Sequence, residues 1–481
     1  MAEEQNKSAV TDWQKEKIFL DRERASHPEF FVPRIAIDDD ATLQEIGIDP
    51  AVLGARIRGH VKFFPEDFIV EEVSQDGILH TVDSAPLFNG SSTEDGKTIW
   101  CDLVKIGIDT LEAVEELSRQ LDIEKKYIGV AGIKDKRALT SQSVSIRGVK
   151  ADKFATVSAT HFFLKNITVG KGALSPGALR GNRFTIVVRT EDVPEPHTFE
   201  TKIRDLQEQG FWNFFYLQRF GTPRLISHKL GLLILQERYE DVVKMTLAYA
   251  SSREGYYFQN LRTRLAELWG DTGALSKAIE PLPHTFRNEK KMLLYLRDHP
   301  GDFIGALNQA PEQIKLWIYA YGSWLFNQML SRLIIHGNGD VPFMLPIPFS
   351  RNSRADQYYG SFFMDHRIRP PFRALRTFPY IRMQDNEIET LKQFTLHGSI
   401  FIPEGVALDF SLDKGVYATT FLAHFLTLSS GEPTPTFVRT GEVDSKSVFG
   451  TGSLMEVKKR FEEVFAMREE KASLDGRLIT E

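Results

Sequence analysis

The sequence predicts an α+β fold built on a mixed, largely antiparallel sheet. Alternating apolar side chains indicate a strand over residues 68–73, and a second strand-like run covers residues 98–105. Asp109 then precedes a helical pattern over residues 111–121, and Glu112 stands where it would complete a capping box with Asp109. Strands and helices do not alternate regularly, as they would around a parallel sheet, and this order favours the α+β class.

Further elements follow in the second half of the chain. Apolar patterns predict helices over residues 225–235 and 314–335, and Gly337 is expected to end the longer one. Strand character returns over residues 407–420, and a charged helix is expected over residues 454–472. The helical stretch that precedes the returning strand therefore predicts a separate body.

Changes in composition along the chain predict five segments. They are an N-terminal extension over residues 1–55, stretches with strand character over residues 56–238 and 396–430, a separate body over residues 239–395, and a linker with a charged C-terminal helix over residues 431–481. At 481 residues the chain is long enough for several domains of ordinary size.

Composition excludes several classes of protein. Cys101 is the only cysteine, so no intramolecular disulfide can form, and no Cys/His cluster has the spacing of a zinc site. The first 26 residues are charged and lack the apolar core of a secretory signal, and no apolar run is long enough to span a bilayer. These features predict a cytoplasmic protein without a metal site. The net charge of −6 gives no support for RNA binding, which would need local clusters of cations.

The segment over residues 128–144 is the most informative for function. Asp135 lies between Lys134 and the pair Lys136 and Arg137, with strand-like runs on both sides. A carboxylate among cations stays ionised at neutral pH, and an ionised, positioned carboxylate can attack a sugar or base carbon. The alternative is that Asp135 only forms a turn between two strands, since Asp commonly bonds its own backbone there.

Residues 132–142 carry a resemblance to a known family. Their sequence, Gly-Ile-Lys-Asp-Lys-Arg-Ala-Leu-Thr-Ser-Gln, resembles the active-site motif of the TruD family of tRNA pseudouridine synthases, with Asp135 at the position of the catalytic aspartate. Lys62, three residues before a Pro-Glu-Asp-Phe sequence, resembles the family's lysine near that aspartate. Residues 213–221 resemble the family's Asn-aromatic-Phe motif and its continuation.

Three further matches follow in the family's order. Residues 177–184 resemble its Gly-x-Leu-Lys-Gly-Asn-x-Phe segment, residues 319–331 the opening helix of its insertion domain, and residues 414–419 its closing Gly-x-Tyr-Ala-Thr strand. Tyr216 departs from the family's pattern, since many members have Gly at that position. An ordered set of motifs is a more specific signal than any one of them.

The resemblance implies an RNA pseudouridine synthase, an isomerase that converts uridine to pseudouridine after flipping the base from its stack. The implied substrate is tRNA, with the uridine at position 13 as the target, and other RNAs remain open. Asp135 would be the nucleophile and Lys62 its ionic partner. Asn213, Phe215 and Arg219 would bind the substrate. No cofactor and no metal is implied, and the sequence decides neither the oligomeric state nor whether the sugar or the base is attacked.

The resemblance also assigns the predicted segments. Residues 56–238 and 396–430 would form the catalytic domain, and residues 239–395 an α/β insertion domain of the TruD type. The RNA would then lie in the cleft between these two domains. The N-terminal extension and the C-terminal helix receive no role from the resemblance.

An arginine-rich stretch over residues 351–382 indicates RNA binding independently of the family. Arginines bind phosphates and aromatic rings stack on bases, and only Asp356 and Asp365 oppose the positive charge here. The alternative is an exposed arginine-rich loop whose aromatic rings face the core. The arginines are Arg351, Arg354, Arg367, Arg369, Arg373, Arg376 and Arg382, and the aromatic residues are Tyr358, Tyr359, Phe362, Phe363, Phe372, Phe378 and Tyr380.

Two other functions remain open at this point. The chain could be a non-catalytic RNA-binding protein on the same scaffold, although Lys62, Lys134 and Asp135 are all present. It could also be a small-molecule glycoside hydrolase that uses paired carboxylates, for which Glu71 and Glu72 would be candidates beside Asp135.

Overall fold

Two structural units organise this chain. The computed structural model describes residues 12–32, 39–88, 97–337, 339–349, 353–381, 386–431 and 434–466. The sheet unit comprises Ala55–Phe211 and Lys392–Glu481, and the helical unit comprises Met1–Gly54 and Trp212–Leu391. The long stretch of the helical unit therefore interrupts the sheet unit in sequence.

The strands within the described ranges are numbered in chain order. They are β1 Ile57–Val61, β2 Phe68–Ser74, β3 Leu79–His80, β4 Thr98–Ile106, β5 Ile128–Val130, β6 Leu139–Arg147, β7 Phe162–Gly170, β8 Leu179–Thr190, β9 Phe211–Trp212, β10 Met344–Pro346, β11 Glu387–Glu389, β12 Leu391–Lys392, β13 Thr395–Ile402, β14 Gly405–Asp413 and β15 Leu426–Ser430.

The helices are numbered in the same way. They are α1 Asp12–Ser26, α2 Asp39–Glu45, α3 Thr110–Leu121, α4 Pro196–Gln209, α5 Ser227–Leu235, α6 Tyr239–Ala248, α7 Tyr256–Glu267, α8 Thr272–Ile279, α9 Arg287–Asp298, α10 Phe303–Leu307, α11 Pro311–His336, α12 Ser353–Asp365, α13 Ala374–Thr377, α14 Ala418–Leu422, α15 Ser445–Val448 and α16 Met455–Arg460.

One sheet dominates the sheet unit. Eleven of the described strands belong to it, seven of them in the order β13-β14-β8-β2-β6-β4-β7. Two pairs, β2 with β6 and β1 with β15, are parallel, and the other pairs of this sheet are antiparallel. The mixed, largely antiparallel sheet predicted from the sequence is therefore confirmed.

Helix α3 begins as its sequence predicts. The Asp109 carboxylate accepts the Glu112 main-chain N–H at 2.9 Å, and the Glu112 carboxylate accepts the Asp109 N–H at 3.4 Å, which completes the capping box. The apolar face of the helix buries Leu117 in a cluster with Leu103 of β4 and Val144 of β6. This packing fixes the start of α3 close to the ends of two central strands.

The predicted strand over residues 407–420 is wrong in its second part. Strand β14 ends at Asp413, and Gly415 has a φ of +80°, a left-handed conformation that breaks an extended strand. Helix α14 follows at Ala418–Leu422. The segment that resembled a closing strand of the family is therefore a turn that leads into a short helix.

The predicted charged C-terminal helix is present in the described residues, with one break at Phe461. Helix α16 covers Met455–Arg460, residues 462–466 are helical again after the break, and residues 467–472 lie outside the described part of the chain. Val457 and Phe461 are buried in an apolar cluster that also contains residues of β2, β4 and β6. The described C-terminal residues are therefore part of the sheet unit's core.

The helical unit is built around α11. The predicted helices over residues 225–235 and 314–335 are both present, as α5 and α11. The two pack so closely that a Cβ on Gly231 would lie 2.1 Å from the Trp317 carbonyl oxygen. A side chain of any size at position 231 would therefore push these helices apart.

The predicted domain boundaries differ from the boundaries between the two units. The prediction placed the first boundary after residue 238 and the second after residue 395, whereas the units change after Phe211 and after Leu391. Residues 212–238 consequently belong to the helical unit. The predicted substrate-binding motif at residues 213–221 lies in that stretch.

Candidate active site

Asp135 lies on the connection between β5 and β6, and 46% of its side chain is exposed. Lys62 Nζ lies 3.1 Å from Asp135 Oδ2, although only 10% of the lysine side chain is exposed. The same Nζ lies 4.2 Å from the centroid of the Phe68 ring, where a cation is favoured. The carboxylate is thus bound to a largely buried cation, and it does more than form a local turn.

The main chain of Lys62 is unusual. Its φ is +59°, a left-handed conformation that non-glycine residues rarely adopt. Lys62 directly follows β1, so this conformation turns the chain sharply at the strand end. Backbone strain of this kind, on the order of 1–3 kcal/mol, persists where the surrounding structure requires it, commonly at functional sites.

The loop around Asp135 is tied to α3 and β6 by neutral hydrogen bonds. The Lys134 main-chain N–H donates to Thr110 Oγ1 at 2.9 Å, and that hydroxyl donates to Gln142 Oε1 at 3.0 Å. Gln142 Nε2 in turn donates to the Gly132 carbonyl oxygen at 2.9 Å. These bonds fix the main chain at residues 132–134, immediately before Asp135.

A second lysine reaches the same loop from within the sheet. Lys105 on β4 is fully buried, and its Nζ donates to the main-chain oxygens of Asp135 and Ile108, both at 2.8 Å. Burial lowers the pKa of Lys105 to about 7, although Asp135 and Asp109 act in the opposite direction. The main chain of Asp135 is therefore held by a buried amine, apart from the cation that holds its carboxylate.

The two glutamates of β2 are each neutralised by their own lysine. Lys134 Nζ lies 2.5 Å from Glu72 Oε2, and both side chains are buried. Glu71 pairs with the buried Lys446 of α15. Neighbouring residues of a strand point to opposite faces of the sheet, so the carboxylates of Glu71 and Glu72 lie on different faces and contact different lysines. Glu71 and Glu72 are therefore not available as the paired carboxylates of a glycoside hydrolase.

The predicted substrate-binding motif lies in the helical unit. Phe214 is buried there, whereas Phe215 is only partly buried and keeps part of its ring exposed. The Arg219 guanidinium carbon lies 5.0 Å from the Phe215 ring centroid, and the Phe326 ring packs edge-on at 5.5 Å. Asn213 Nδ2 donates to the Glu389 carbonyl oxygen at 2.8 Å. Core packing thus explains Phe214 but only one side of Phe215.

Asn327 of α11 holds this motif in place. Its Oδ1 accepts the Phe215 main-chain N–H at 2.9 Å, and its Nδ2 donates to the Phe215 carbonyl oxygen at 2.7 Å. Nδ2 also donates to the Ile46 carbonyl oxygen at 2.8 Å. A single fully buried amide therefore satisfies both main-chain groups of Phe215 and connects them to the N-terminal extension.

The structure brings the predicted residues together in two groups. Asp135 and Lys62 are in contact in the sheet unit. Phe215 and Arg219 are in contact in the helical unit, with Asn213 two residues before Phe215. Each group has its own set of supporting hydrogen bonds within its unit.

The arginine-rich stretch divides into exposed cations and buried rings. Arg351 and Arg382 lie outside the described residues. The prediction that the aromatic rings are free to stack on bases is wrong for those that face the core, which are Tyr359, Phe363, Phe372 and Phe378. The exposed arginines Arg367, Arg369 and Arg373 line a cleft with Glu237, which lies 3.8 Å from Arg373. We call Arg367, Arg369 and Arg373 the arginine cleft.

Sequence reasoning missed several residues that support the site. Lys105 and Asn327 were not singled out, although each carries a weak signal. Lys105 is a charged residue between Val104 and Ile106 in an apolar strand, and Asn327 follows the apolar pair Leu325 and Phe326 in a helix. A buried polar residue needs a hydrogen-bonding partner, so a polar position inside an apolar pattern is itself informative.

The part of the chain that the structure describes shows neither a metal-ligand cluster nor a helix that could span a membrane. No three His, Cys, Asp or Glu side chains of these ranges lie together as a metal site would need. None of the helices found there combines the length and the apolar character that crossing a bilayer requires.

Comparisons with known proteins agree with the motifs. The family model of tRNA pseudouridine synthase D (TruD) matches residues 47–343, more than half of the chain. A protein of Methanopyrus kandleri named "Probable tRNA pseudouridine synthase D" is 32% identical over 344 residues, which cover 67% of this chain and 84% of the relative. A protein of the same name from Archaeoglobus fulgidus is 34% identical over 57% of this chain and 62% of its own length.

A solved structure shares the fold. A crystal structure from Methanosarcina mazei, described as "Putative tRNA pseudouridine synthase D (TruD)", aligns with a TM-score of 0.59 over 79% of this chain and 97% of that chain, at 24% identity. The chain therefore belongs to the tRNA pseudouridine synthase D (TruD) family of isomerases, which is the family, the enzyme class and the fold that its sequence predicted.

Proposed function

We propose that the protein converts uridine to pseudouridine at position 13 of tRNA, with Asp135 as the nucleophile. In this isomerisation the bond between ribose C1′ and uracil N1 breaks, the base turns, and a bond forms between C1′ and C5. The proton on C5 leaves and N1 gains one, so substrate and product have the same composition. The supporting observation is the half-exposed Asp135 carboxylate, 3.1 Å from Lys62 Nζ, on a loop held by buried hydrogen bonds.

The chemistry asks for an ionised carboxylate, and Asp135 has the cation of Lys62 within ion-pairing distance. Lys62 supplies the adjacent positive charge from a position with little solvent exposure, where its attraction is screened less than it would be in water. The reaction needs no external electron carrier, because substrate and product are isomers. Lys62 would therefore act as the ionic partner that orients the Asp135 carboxylate.

For the target base, we propose Phe215 as the stacking ring and Asn213 and Arg219 as polar contacts. The partly exposed Phe215 ring is supported by Phe326 from one direction, which limits its movement. Stacking of a base on an aromatic side chain contributes roughly 1–3 kcal/mol per base, enough to hold a flipped uridine. The guanidinium of Arg219, close to the ring, adds positive charge where a phosphate or a base oxygen could bind.

For the tRNA itself, we propose that the arginine cleft binds backbone phosphates. Arg367 and Arg369 have no acidic side chain within ion-pairing distance in the described ranges, so their charges are available to an anion. The proposed catalytic domain remains residues 56–238 with 396–430, and the proposed insertion domain residues 239–395. We place the protein in the cytoplasm, where its buried Cys101 meets no oxidising conditions.

The test is pseudouridine formation in unmodified tRNA transcripts, mapped to nucleotide position. The wild type is expected to give product at position 13, and Asp135→Asn none, because the amide keeps the size of the side chain and removes the charge. Asp192→Asn is the matched control, since Asp192 is an exposed aspartate of the same unit. It should leave the rate unchanged.

The outcomes separate the remaining functions. Product at another position would keep the enzyme class and correct the target. Binding of tRNA by both proteins without product on any transcript would contradict the proposal and favour a non-catalytic RNA-binding protein. Equal activity of Asp135→Asn and wild type would exclude Asp135 as the nucleophile.

A further inference from the structure

We propose that Lys105 is a positioning residue for the reaction, because its buried amine holds the main chain of the nucleophile Asp135. The inference rests on the proposed function for the role of Asp135, and on geometry for the contact. Lys105 does not touch the exposed carboxylate in the structure, and its hydrogen bond goes to the Asp135 carbonyl oxygen. It would therefore act through the position of Asp135.

Lys105 is held rigidly enough to serve as a reference point. It lies near the end of β4, a central strand that pairs with β6 and β7, opposite Thr140 on one side and Phe162 on the other. Its Nζ joins two chain segments, the Ile108 carbonyl oxygen before α3 and the Asp135 carbonyl oxygen, each at 2.8 Å. The amine thus fixes the Asp135 loop to the strand end and to the start of α3.

The charges around Lys105 explain why its protonation matters. Asp135 and Asp109 are the anions that act on it, and Lys134 and Lys62 are the cations. Burial lowers the pKa of Lys105 to about 7, so the group exchanges its proton near neutral pH. The protonated amine therefore attracts the Asp135 carboxylate, and the neutral amine does not.

Protonation and hydrogen bonding can be separated at this site. A neutral amine retains two N–H groups, and the two carbonyl oxygens need only two donors. Raising the pH through 7 therefore removes a positive charge beside Asp135 and leaves both hydrogen bonds in place. A Lys105→Met substitution removes the charge and both bonds together.

The experiment compares Lys105→Met with Lys165→Met in the full-length chain. Lys165 is a second fully buried lysine of the same sheet, 2.6 Å from Asp83, and makes no contact with the Asp135 loop in the described residues. Single-turnover pseudouridine formation at saturating tRNA, from pH 6 to 9, and tRNA affinity are measured for each. Hydrogen exchange of the amides of residues 132–138 provides a readout that needs no activity.

For Lys105→Met we expect a rate constant lower by roughly tenfold to a hundredfold, because small displacements of a reacting group have effects of that size. The tRNA affinity should stay within about twofold, the pH-dependent step near 7 should disappear, and the loop amides should exchange roughly tenfold faster or more. Lys165→Met should keep the wild-type rate constant, pH profile and loop exchange in its folded fraction.

Unchanged exchange of residues 132–138 in Lys105→Met would overturn the positioning role, and so would an unchanged rate constant and pH profile. If Lys105→Met does not fold, Lys105→Gln retains N–H donors without a titrating charge. It should lose the pH step and keep part of the rate, whereas a retained pH step would overturn the proposal. Faster loop exchange in a protein whose wild type forms no pseudouridine would uphold the positioning and refute the proposed function.

Discussion

The Asp135 loop and the Phe215 segment are held by different kinds of group. Buried lysines hold the first in addition to its neutral hydrogen bonds, through the Lys105 amine on a main-chain oxygen and the pair between Lys134 and Glu72. A neutral amide fixes the second, since Asn327 satisfies both main-chain groups of Phe215. The difference matches what each segment presents, a charged carboxylate in one case and a flat apolar ring in the other.

Physical chemistry explains why a charged scaffold suits only the first segment. Buried charges are expensive to desolvate and interact strongly once they are paired, so they restrict a neighbouring carboxylate to one arrangement. The main chain of Phe215 carries no charge, and a buried amide orders it through hydrogen bonds alone. The charged contacts of the Asp135 loop and the Asn327 contacts of the Phe215 segment can therefore be removed separately. The resulting losses of stability and activity should differ in size.

Breaking the charged scaffold should have the largest effect. Lys134→Met leaves the Glu72 carboxylate buried without its cation, and such a loss lowers the free energy of unfolding by about 3–5 kcal/mol. Denaturant unfolding measures it. The double variant Lys134→Met with Glu72→Leu should recover much of the loss, because neither position then carries a buried charge without its partner.

Lys125→Met is the control for this pair. Lys125 lies 2.9 Å from Glu115, with both side chains exposed, and its loss should leave stability close to that of the wild type. A loss in Lys134→Met no larger than in Lys125→Met would show that the loop does not depend on buried charge.

Breaking the neutral scaffold should have an intermediate effect. Asn327→Leu leaves the main-chain N–H and oxygen of Phe215 without their partner, which costs at least about 2 kcal/mol of unfolding free energy. Because Phe215 is the proposed stacking ring, the KM for tRNA should also rise while Asp135 keeps its own contacts. Unfolding by denaturant and steady-state kinetics measure the two effects.

Ser323→Ala on the same helix provides the comparison. The Ser323 hydroxyl donates within α11, to the Tyr319 carbonyl oxygen, so its removal frees no group of the Phe215 segment. An equal rise of KM in Ser323→Ala and Asn327→Leu would assign the effect to the helix as a whole and would contradict a specific role for Asn327.

The smallest effect is expected away from both scaffolds, at the arginine cleft. The double variant Arg367→Ala with Arg369→Ala should weaken tRNA binding and reduce the salt dependence of its affinity, by roughly one unit of log–log slope for each phosphate that is no longer bound. The single-turnover rate at saturating tRNA should not change. Binding titrations over a series of salt concentrations measure the slope.

Arg297→Ala controls for the loss of positive charge in general. Arg297 is an exposed arginine of the same unit, 3.0 Å from Asp298. If both variants reduce the salt dependence equally, the arginine cleft has no special role in tRNA binding.

Local sequence patterns predicted local structure well in this protein. The capping box of Asp109 and Glu112 formed as expected, because its two partners are three residues apart and depend only on the helix between them. The strand predicted over residues 407–420 failed after Asp413, where Gly415 adopts a positive φ. A glycine permits a turn of this kind but does not require it. The sequence pattern alone therefore did not show where the strand ends.

Burial of adjacent aromatic residues shows a second limit. Phe214 and Phe215 are the same type of residue at neighbouring positions, so the sequence does not tell their environments apart. Only the fold determines that Phe214 is buried and Phe215 partly exposed. The aromatic residues within 351–382 show the same limit of prediction from sequence. Four of their rings are buried in the core, whereas neighbouring arginines are exposed. Side-chain type sets what a residue can contact, and packing sets what it does contact.

The sequence by itself determined the family, the Asp135 motif, its lysine partner and the mixed sheet, since motif order and local periodicity are properties of the chain. Only the tertiary structure decided which groups support the site. Lys105 lies 30 residues from Asp135, Glu72 lies 62 from Lys134, and Phe215 lies 112 from Asn327. Such contacts depend on the order of strands and on the crossing of helices, and a buried polar group shows its partner only when the chain is folded.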